Sequence, residues 1–92
     1  MKVGESLRRI ADFYGFDKQS IQAIEEMAEL QKALCKWRRY GYTKDLRREL
    51  IDEVADVLIM CRQLEYLIGT NEVKEQIEYK LKRQLKRMEK EE

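Results

Sequence analysis

The stretch that decides the fold is AIEEMAELQKAL, residues 23–34. Ala23, Glu26, Leu30 and Ala33 recur at intervals of three and four residues. This spacing is typical of the seam along which one helix packs against a neighbouring helix. Glu26 therefore places a carboxylate where a buried apolar side chain is expected.

Residues 46–64 repeat this pattern on a second helix. Glu53 interrupts the apolar series, as Glu26 does in the first. Each helix also carries a second carboxylate three residues later, Glu29 and Asp56, about 60° around the helix and one turn along it. The positions of the second seam are Leu46, Leu50, Glu53, Val57, Met60 and Leu64.

Glycines divide the chain into four predicted helices. We expect helices over residues 5–14, 18–40, 44–68 and from 70 through about 85, separated at Gly15, Gly41 and Gly69. Thr43 is predicted to cap the third helix, and Gly69 to end it. Residues 1–92 thus form a single all-α domain, a four-helix bundle around a central antiparallel hairpin.

The hairpin is predicted to bring the carboxylates together. Gly41 is the midpoint in sequence of Glu29 and Glu53, and also of Glu26 and Asp56. An antiparallel hairpin that turns near Gly41 sets these partners at matching heights. Four negative charges in a partly buried seam repel one another, and a bound cation removes the conflict.

The composition limits which cation can bind. The chain has no His, which excludes the Glu-x-x-His pairs of di-iron bundles and zinc sites that use His. Carboxylates alone suit Mg²⁺, with Mn²⁺ as a possible substitute, and Mg²⁺ in such sites usually binds phosphates. The alternative is that both pairs are solvated charges, because such spacings arise by chance in charge-rich helices.

Charge and hydropathy exclude other classes of protein. Nineteen basic and eighteen acidic residues nearly cancel, so we expect no nucleic-acid partner. No apolar run is long enough for a signal peptide or a membrane span, so we expect a cytoplasmic protein without a membrane partner. Cys35 and Cys61 are expected to be buried thiols rather than a disulfide.

Two motifs resemble a known family. EEMAE (25–29) and EVAD (53–56) match the EExxE and ExxD elements of the MazG-like all-α nucleoside triphosphate pyrophosphohydrolases, which are related to the dimeric dUTPases. The similarity spans roughly residues 14–68. It implies that Glu26, Glu29, Glu53 and Asp56 are metal ligands, the same residues that the seam selects.

The resemblance also implies an activity. Members of this family cleave (d)NTPs between the α and β phosphates, giving the monophosphate and pyrophosphate, with a metal-assisted water as nucleophile. Glu25, Glu26 and Glu53 are the candidate catalytic carboxylates that would orient or deprotonate this water. Glu25 points about 100° away from Glu26 on a regular helix, so it is alternatively a solvated residue.

Three cations are candidates for binding the polyphosphate. Lys80 and Arg83 lie beside an apolar stripe of the last helix, from which they would lean over the hairpin; alternatively they belong to an exposed basic face. Arg39, in KWRRYG (36–41), resembles a basic position of the short family members. Trp37 could stack on a base but more simply belongs to the core, and base preference stays open.

The hairpin carries more apolar surface than one bundle face can cover. A second strip is formed by Ile21, Ile24, Ala28 and Cys35 on one helix and by Ile51, Val54, Leu58 and Cys61 on the other. We therefore expect a homodimer or homotetramer, with the core completed by oligomerisation. The competing functional hypothesis is a non-catalytic helical interaction or regulatory module on the same scaffold.

Overall fold

The computed structural model describes residues 2–91, and almost all of them are helical. The helices are α1 (Val3–Tyr40), α2 (Lys44–Ile68) and α3 (Thr70–Glu91). No strand occurs within this range. The all-α prediction is confirmed.

Gly15 interrupts α1 without a loop. Its φ of 82° and ψ of 169° are not helical, and a glycine adopts this conformation readily because it has no Cβ. Helical segments 3–14 and 16–40 meet at this single residue. The predicted break is therefore present. The structure nevertheless has three helices where we predict four, because Gly15 is the only non-helical residue between the two segments and α1 continues through it.

Both predicted boundaries of α2 are confirmed. The Thr43 hydroxyl accepts a hydrogen bond of 3.1 Å from the Leu46 amide, as an N-cap side chain does. At the other end, the Gly69 amide donates to the Glu65 carbonyl at 2.9 Å, and Gly69 has a φ of 141°. A one-residue connection then leads into α3.

Residues 16–40 and α2 form the antiparallel hairpin. Its buried apolar side chains are Ala23 and Ala33 from α1 and Met60 from α2. It also contains two amides, since Gln19 Nε2 donates to Gln63 Oε1 at 2.7 Å. Positions 19 and 63 are each 22 residues from Gly41 in sequence, so this contact has the register that the carboxylate pairs predict.

The buried amide pair is expected to be sensitive to single substitution. Gln63 is only 2% exposed, so Gln63→Leu leaves the Gln19 amide without its partner. We expect a loss of about 1–3 kcal/mol in the free energy of unfolding. The double variant Gln19→Leu/Gln63→Leu should recover most of this loss, because no unpaired amide remains. Urea denaturation measures both, and equal losses in the two variants would contradict the pairing.

The first segment of α1 packs across the C-terminal half of α2. The Tyr66 hydroxyl donates to the Asp12 carboxylate, at 2.9 Å from Oδ1 and 3.0 Å from Oδ2. Ala11, next to Asp12, is completely buried. These contacts hold residues 3–14 against the hairpin after the chain changes direction at Gly15.

In contrast, α3 leaves the hairpin. Among residues 2–91, no Cα atom of α3 lies within 8 Å of one in α1, and α3 has no buried residue. The radius of gyration is 16.2 Å, whereas a compact domain of this length has about 12 Å. The single chain therefore does not close into a compact bundle.

The open arrangement changes the surroundings of the cysteines. Cys35 and Cys61 are both free and exposed, so the prediction that they are buried is wrong for the single chain. The apolar strips that contain these two cysteines stay exposed, because no other helix within residues 2–91 packs on them. None of the helices that the structure describes is long and apolar enough to cross a membrane.

Candidate functional site

Three of the predicted carboxylates meet in the seam of the hairpin. Glu26, Glu53 and Asp56 are half-buried, and one oxygen from each lies within 4.8 Å of the others. Glu26 comes from α1 and the other two from successive turns of α2. The antiparallel register thus assembles one acidic cluster from both helices.

Glu53 is the most constrained member of the cluster. Its Oε2 atom is buried and has no hydrogen-bond partner among residues 2–91. Buried polar atoms in folded proteins are nearly always paired, so an orphaned carboxylate oxygen needs an explanation. A bound cation is one, since it would both pair with the oxygen and offset its desolvation.

The surroundings of Glu53 also raise its pKa. Burial is the largest cause, followed by the negative charges of Asp52, Asp56, Glu29 and Glu26. All of these disfavour the ionised form. Without a bound cation, the surroundings of Glu53 therefore disfavour the negative charge that its side chain would carry at neutral pH.

No basic side chain compensates this charge within the described part of the chain. The ion pairs there join Lys36 to Glu49 at 3.0 Å, Arg62 to Glu65 at 3.3 Å and Arg48 to Asp45 at 4.0 Å. None involves a carboxylate of the cluster. Within residues 2–91, the charge of the cluster is therefore not neutralised by Lys or Arg.

Glu26 is held by a neighbour that the sequence analysis did not identify. Gln22 Nε2 donates to Glu26 Oε1 at 2.8 Å from one turn earlier on α1. This bond orients the carboxylate while leaving its second oxygen available. The signal was present in the sequence, because a Gln four residues before a Glu lies on the same side of a helix.

The remaining predicted acidic residues are more exposed. Glu29 lies outside the three-carboxylate group, although its charge contributes to the raised pKa of Glu53. Glu25 is exposed, as expected for a solvated position. The structure thus brings three of the four predicted ligands together and places Glu29 beside them.

The predicted cations lie in two separate places. Arg39 is on α1, with its guanidinium 6.0 Å from the centre of the Tyr40 ring. Lys80 and Arg83 are exposed on α3, where Arg83 lies over Tyr79 at 5.7 Å. Because α3 diverges from the hairpin, the structure does not bring these two cations to the carboxylates within one chain.

A basic groove on α1 was not predicted as a unit. Lys32, Lys36 and Arg39 line it together with Cys35 and Tyr40. Lys36 is seven residues after Glu29, almost two full turns, so both side chains lie on the same side of α1. The groove therefore begins on the Glu29 side of α1, where Lys36 pairs with Glu49, whereas Lys32 and Arg39 lie about 120° and 140° round the helix from Glu26.

The aromatic and amide residues near the site occupy different environments. Trp37 is half-buried and packs edge-on against Tyr42, with ring centres 5.5 Å apart. Gln19 is buried in its bond to Gln63, so its amide does not reach the surface. The Trp37 ring thus serves the packing of the turn.

The metal-free protein is expected to lose stability as the pH rises above 4.5. The pKa of Glu53 is raised above its ordinary value of 4.5, so the folded protein binds this proton more tightly than the unfolded chain does. The stabilisation that the protonated Glu53 side chain contributes is complete below pH 4.5. It is lost as the pH rises through the raised pKa of the folded protein. Urea denaturation in chelator from about pH 4 to about pH 8 measures the slope.

Glu53→Gln removes the titrating group and is the comparison for this profile. The free energy of unfolding of this variant should decline less steeply over the same pH range. Glu75→Gln is a suitable control, because Glu75 is an exposed carboxylate of α3 that lies outside the cluster and outside the ion pairs found in residues 2–91. If wild type and Glu53→Gln decline in parallel, the assignment of the pH dependence to Glu53 is incorrect.

Comparison of the chain with protein-family models, curated proteins and solved structures gives no match.

Proposed function

We propose that the protein is a divalent-metal-dependent nucleotide pyrophosphohydrolase of the MazG-like type. It would cleave a (d)NTP between the α and β phosphates, releasing the monophosphate and pyrophosphate. The observation that carries the proposal is the cluster of Glu26, Glu53 and Asp56, with a buried Glu53 oxygen that lacks a partner. The EEMAE and EVAD motifs supply the same residues in the order that this family uses.

The donor set fits Mg²⁺ or Mn²⁺. Glu26, Glu53 and Asp56 would hold the ion, and Glu29, whose charge acts on Glu53, would join through a bound water. All are hard oxygen ligands, which these ions prefer, and the three clustered carboxylates are only half-buried. A bound ion would polarise the phosphate and lower the pKa of a coordinated water.

The chain's own residues would bind and orient the reactants. A carboxylate oxygen of the cluster would accept a proton from the attacking water. Glu26 and Glu53 are our candidates for this role, and a hydrogen bond from Gln22 supports the assignment of Glu26. Glu25 is exposed and makes no contact with the cluster, so we assign it no direct role.

The basic groove would bind the polyphosphate. Lys36 lies about 10 Å along the α1 axis from Glu29, on the same side of the helix. An extended triphosphate bound at the cluster and pointing towards the turn would exchange the Glu49 partner of Lys36 for phosphate and would then reach Lys32 and Arg39. Lys80 and Arg83 could contribute only from a second copy of the chain.

The quaternary structure belongs to the same proposal. We infer a homodimer or homotetramer in which helices of different copies complete the four-helix bundle. The incomplete core of the single chain supports this inference.

The proposed activity is tested with a panel of (d)NTPs and Mg²⁺ or Mn²⁺, measuring pyrophosphate and orthophosphate separately. Pyrophosphate and monophosphate in equal amounts are expected. Orthophosphate with a diphosphate would show that another bond is cut. No hydrolysis of any nucleotide, with metal binding intact, would instead favour a non-catalytic interaction module.

A further inference from the structure

An ion pair between Lys36 and Glu49 joins the two helices of the hairpin. Lys36 Nζ lies 3.0 Å from Glu49 Oε1, and the two side chains are 41% and 39% exposed. The side chains of Arg48 and Asp45, which also form an ion pair, are 81% and 95% exposed. Within residues 2–91, the pair of Lys36 and Glu49 is the only ion pair that connects two helices.

This ion pair lies between the acidic cluster and the turn. Glu49 comes one turn before Glu53 on α2, about 40° round the helix and about 6 Å along its axis. On α1, Lys36 lies about 20° round the helix from Glu29 and about 10 Å nearer the turn. The ion pair and the cluster therefore occupy the same side of the hairpin.

Lys36 is the cation of the basic groove that already has an anionic partner. Lys32 and Arg39 form no ion pair within residues 2–91. The Glu49 carboxylate holds the Lys36 ammonium where a phosphate oxygen would otherwise bind it. A polyphosphate in the groove therefore has to displace Glu49; this step rests on the proposed function, which assigns the groove to the polyphosphate.

The displaced carboxylate stays close to Lys36. Glu49 is fixed to α2, so it competes with a bound phosphate as an intramolecular group at high effective concentration. Such a competitor weakens the apparent affinity of every ligand that uses Lys36, because it reduces the fraction of the protein in which Lys36 is available. Pyrophosphate is the product concerned, since it is the end of the triphosphate that points towards the turn.

We propose that Glu49 is a positioning residue that promotes the release of pyrophosphate by taking Lys36 back after each turnover. The β or γ phosphate of the substrate first takes Lys36 from Glu49. Hydrolysis then leaves pyrophosphate on Lys36. Glu49 finally recovers its ion pair, and pyrophosphate leaves a groove that has lost its best-placed cation.

The first test is the Kd of pyrophosphate in the presence of Mg²⁺, measured by isothermal titration calorimetry. Glu49→Gln should lower this Kd about two- to fivefold, the range that partly exposed ion pairs contribute. Glu65→Gln is the matched control. It also breaks an ion pair of α2, with Arg62, but lies about 18 Å along the helix from Glu53, so its Kd should equal that of wild type.

The second test asks whether Glu49 acts through Lys36. Lys36→Gln should weaken pyrophosphate binding, and addition of Glu49→Gln to this variant should leave the Kd unchanged. Equal tightening with and without Lys36 would show that Glu49 only repels phosphate, and would overturn the proposal. An unchanged Kd in Glu49→Gln alone would reduce the ion pair to a structural link between α1 and α2, and would also overturn it.

Steady-state kinetics separate this inference from the proposed function. In Glu49→Gln, the KM for the (d)NTP and the inhibition constant of pyrophosphate should fall by similar factors, while kcat should not rise. If wild type hydrolyses (d)NTPs and Glu49→Gln has the same two constants, the role of Glu49 is incorrect and the enzyme assignment stands. If wild type hydrolyses no (d)NTP, the proposed function and the role of Glu49 both fail.

Discussion

Asp56→Asn is expected to reduce kcat/KM for pyrophosphate release by more than about 100-fold, since even outer-shell substitutions at metal sites cost about 10–100-fold. Asp56 is a member of the acidic cluster and reaches the other two carboxylates from the next turn of α2. The amide keeps the size of the side chain but removes its charge and one ligand oxygen. Steady-state assays with Mg²⁺ and the preferred (d)NTP give the value.

Asp45→Asn is the matched control for this prediction. Asp45 is an exposed aspartate of the same helix that lies outside the cluster and is not among the charges that raise the pKa of Glu53. The same chemical change there should leave kcat/KM within a few-fold of wild type. If Asp56→Asn remains as active as Asp45→Asn, Asp56 is not a ligand and the proposed centre is incorrect.

Divalent metal is expected to stabilise the folded protein strongly. Ligand at 100 times its Kd adds about 2.7 kcal/mol to the free energy of unfolding, which for a domain of this size raises Tm by about 10 °C or more. Thermal melts with increasing Mg²⁺ or Mn²⁺ measure the shift. It should grow with metal concentration, because binding is coupled to the folded state.

Glu53→Gln should raise the Tm of the metal-free protein and reduce the rise in Tm that metal causes. Without metal, this variant should melt above wild type at neutral pH, because the disfavoured charge is gone. With metal, it should gain little. Glu49→Gln, which alters the carboxylate paired with Lys36, should respond to metal as wild type does. Equal metal responses in wild type and Glu53→Gln would rule out Glu53 as a ligand.

The hairpin and its register follow from local sequence features. Helical periodicity places Glu26 and Glu53 in the seam, and the turn at Gly41 sets which residues of the two helices lie level. Thr43 and Gly69 are recognisable as helix boundaries because capping is a local interaction. These features need no knowledge of the rest of the molecule, which is why the sequence predicts them.

The departure of α3 does not follow from such features. Periodicity shows that the stripe containing Leu81 must be covered, but it does not say which surface covers it. Assignment of Lys80 and Arg83 to the site assumed that α3 returns to its own hairpin. Their place relative to the carboxylates depends on how chains assemble, which is a long-range property.

The buried amides illustrate a further limit. Gln19 and Gln63 share the register of the carboxylate pairs, yet a Gln is usually exposed, and its spacing alone does not identify a buried hydrogen bond. Only the packing of α1 on α2 shows that both amides are enclosed. The exposure of Cys35 and Cys61 is likewise a consequence of the missing cover on the hairpin, which composition does not reveal.

We expect the acidic cluster to bind a divalent cation, and anomalous diffraction from crystals grown with Mn²⁺ would reveal the ion itself. One strong anomalous peak is expected within ligand distance of Glu26, Glu53 and Asp56, and no such peak in Glu53→Gln crystals. A wild-type map without a peak there, with the three carboxylates turned to solvent or paired with basic side chains, would show that the cluster is not a metal site.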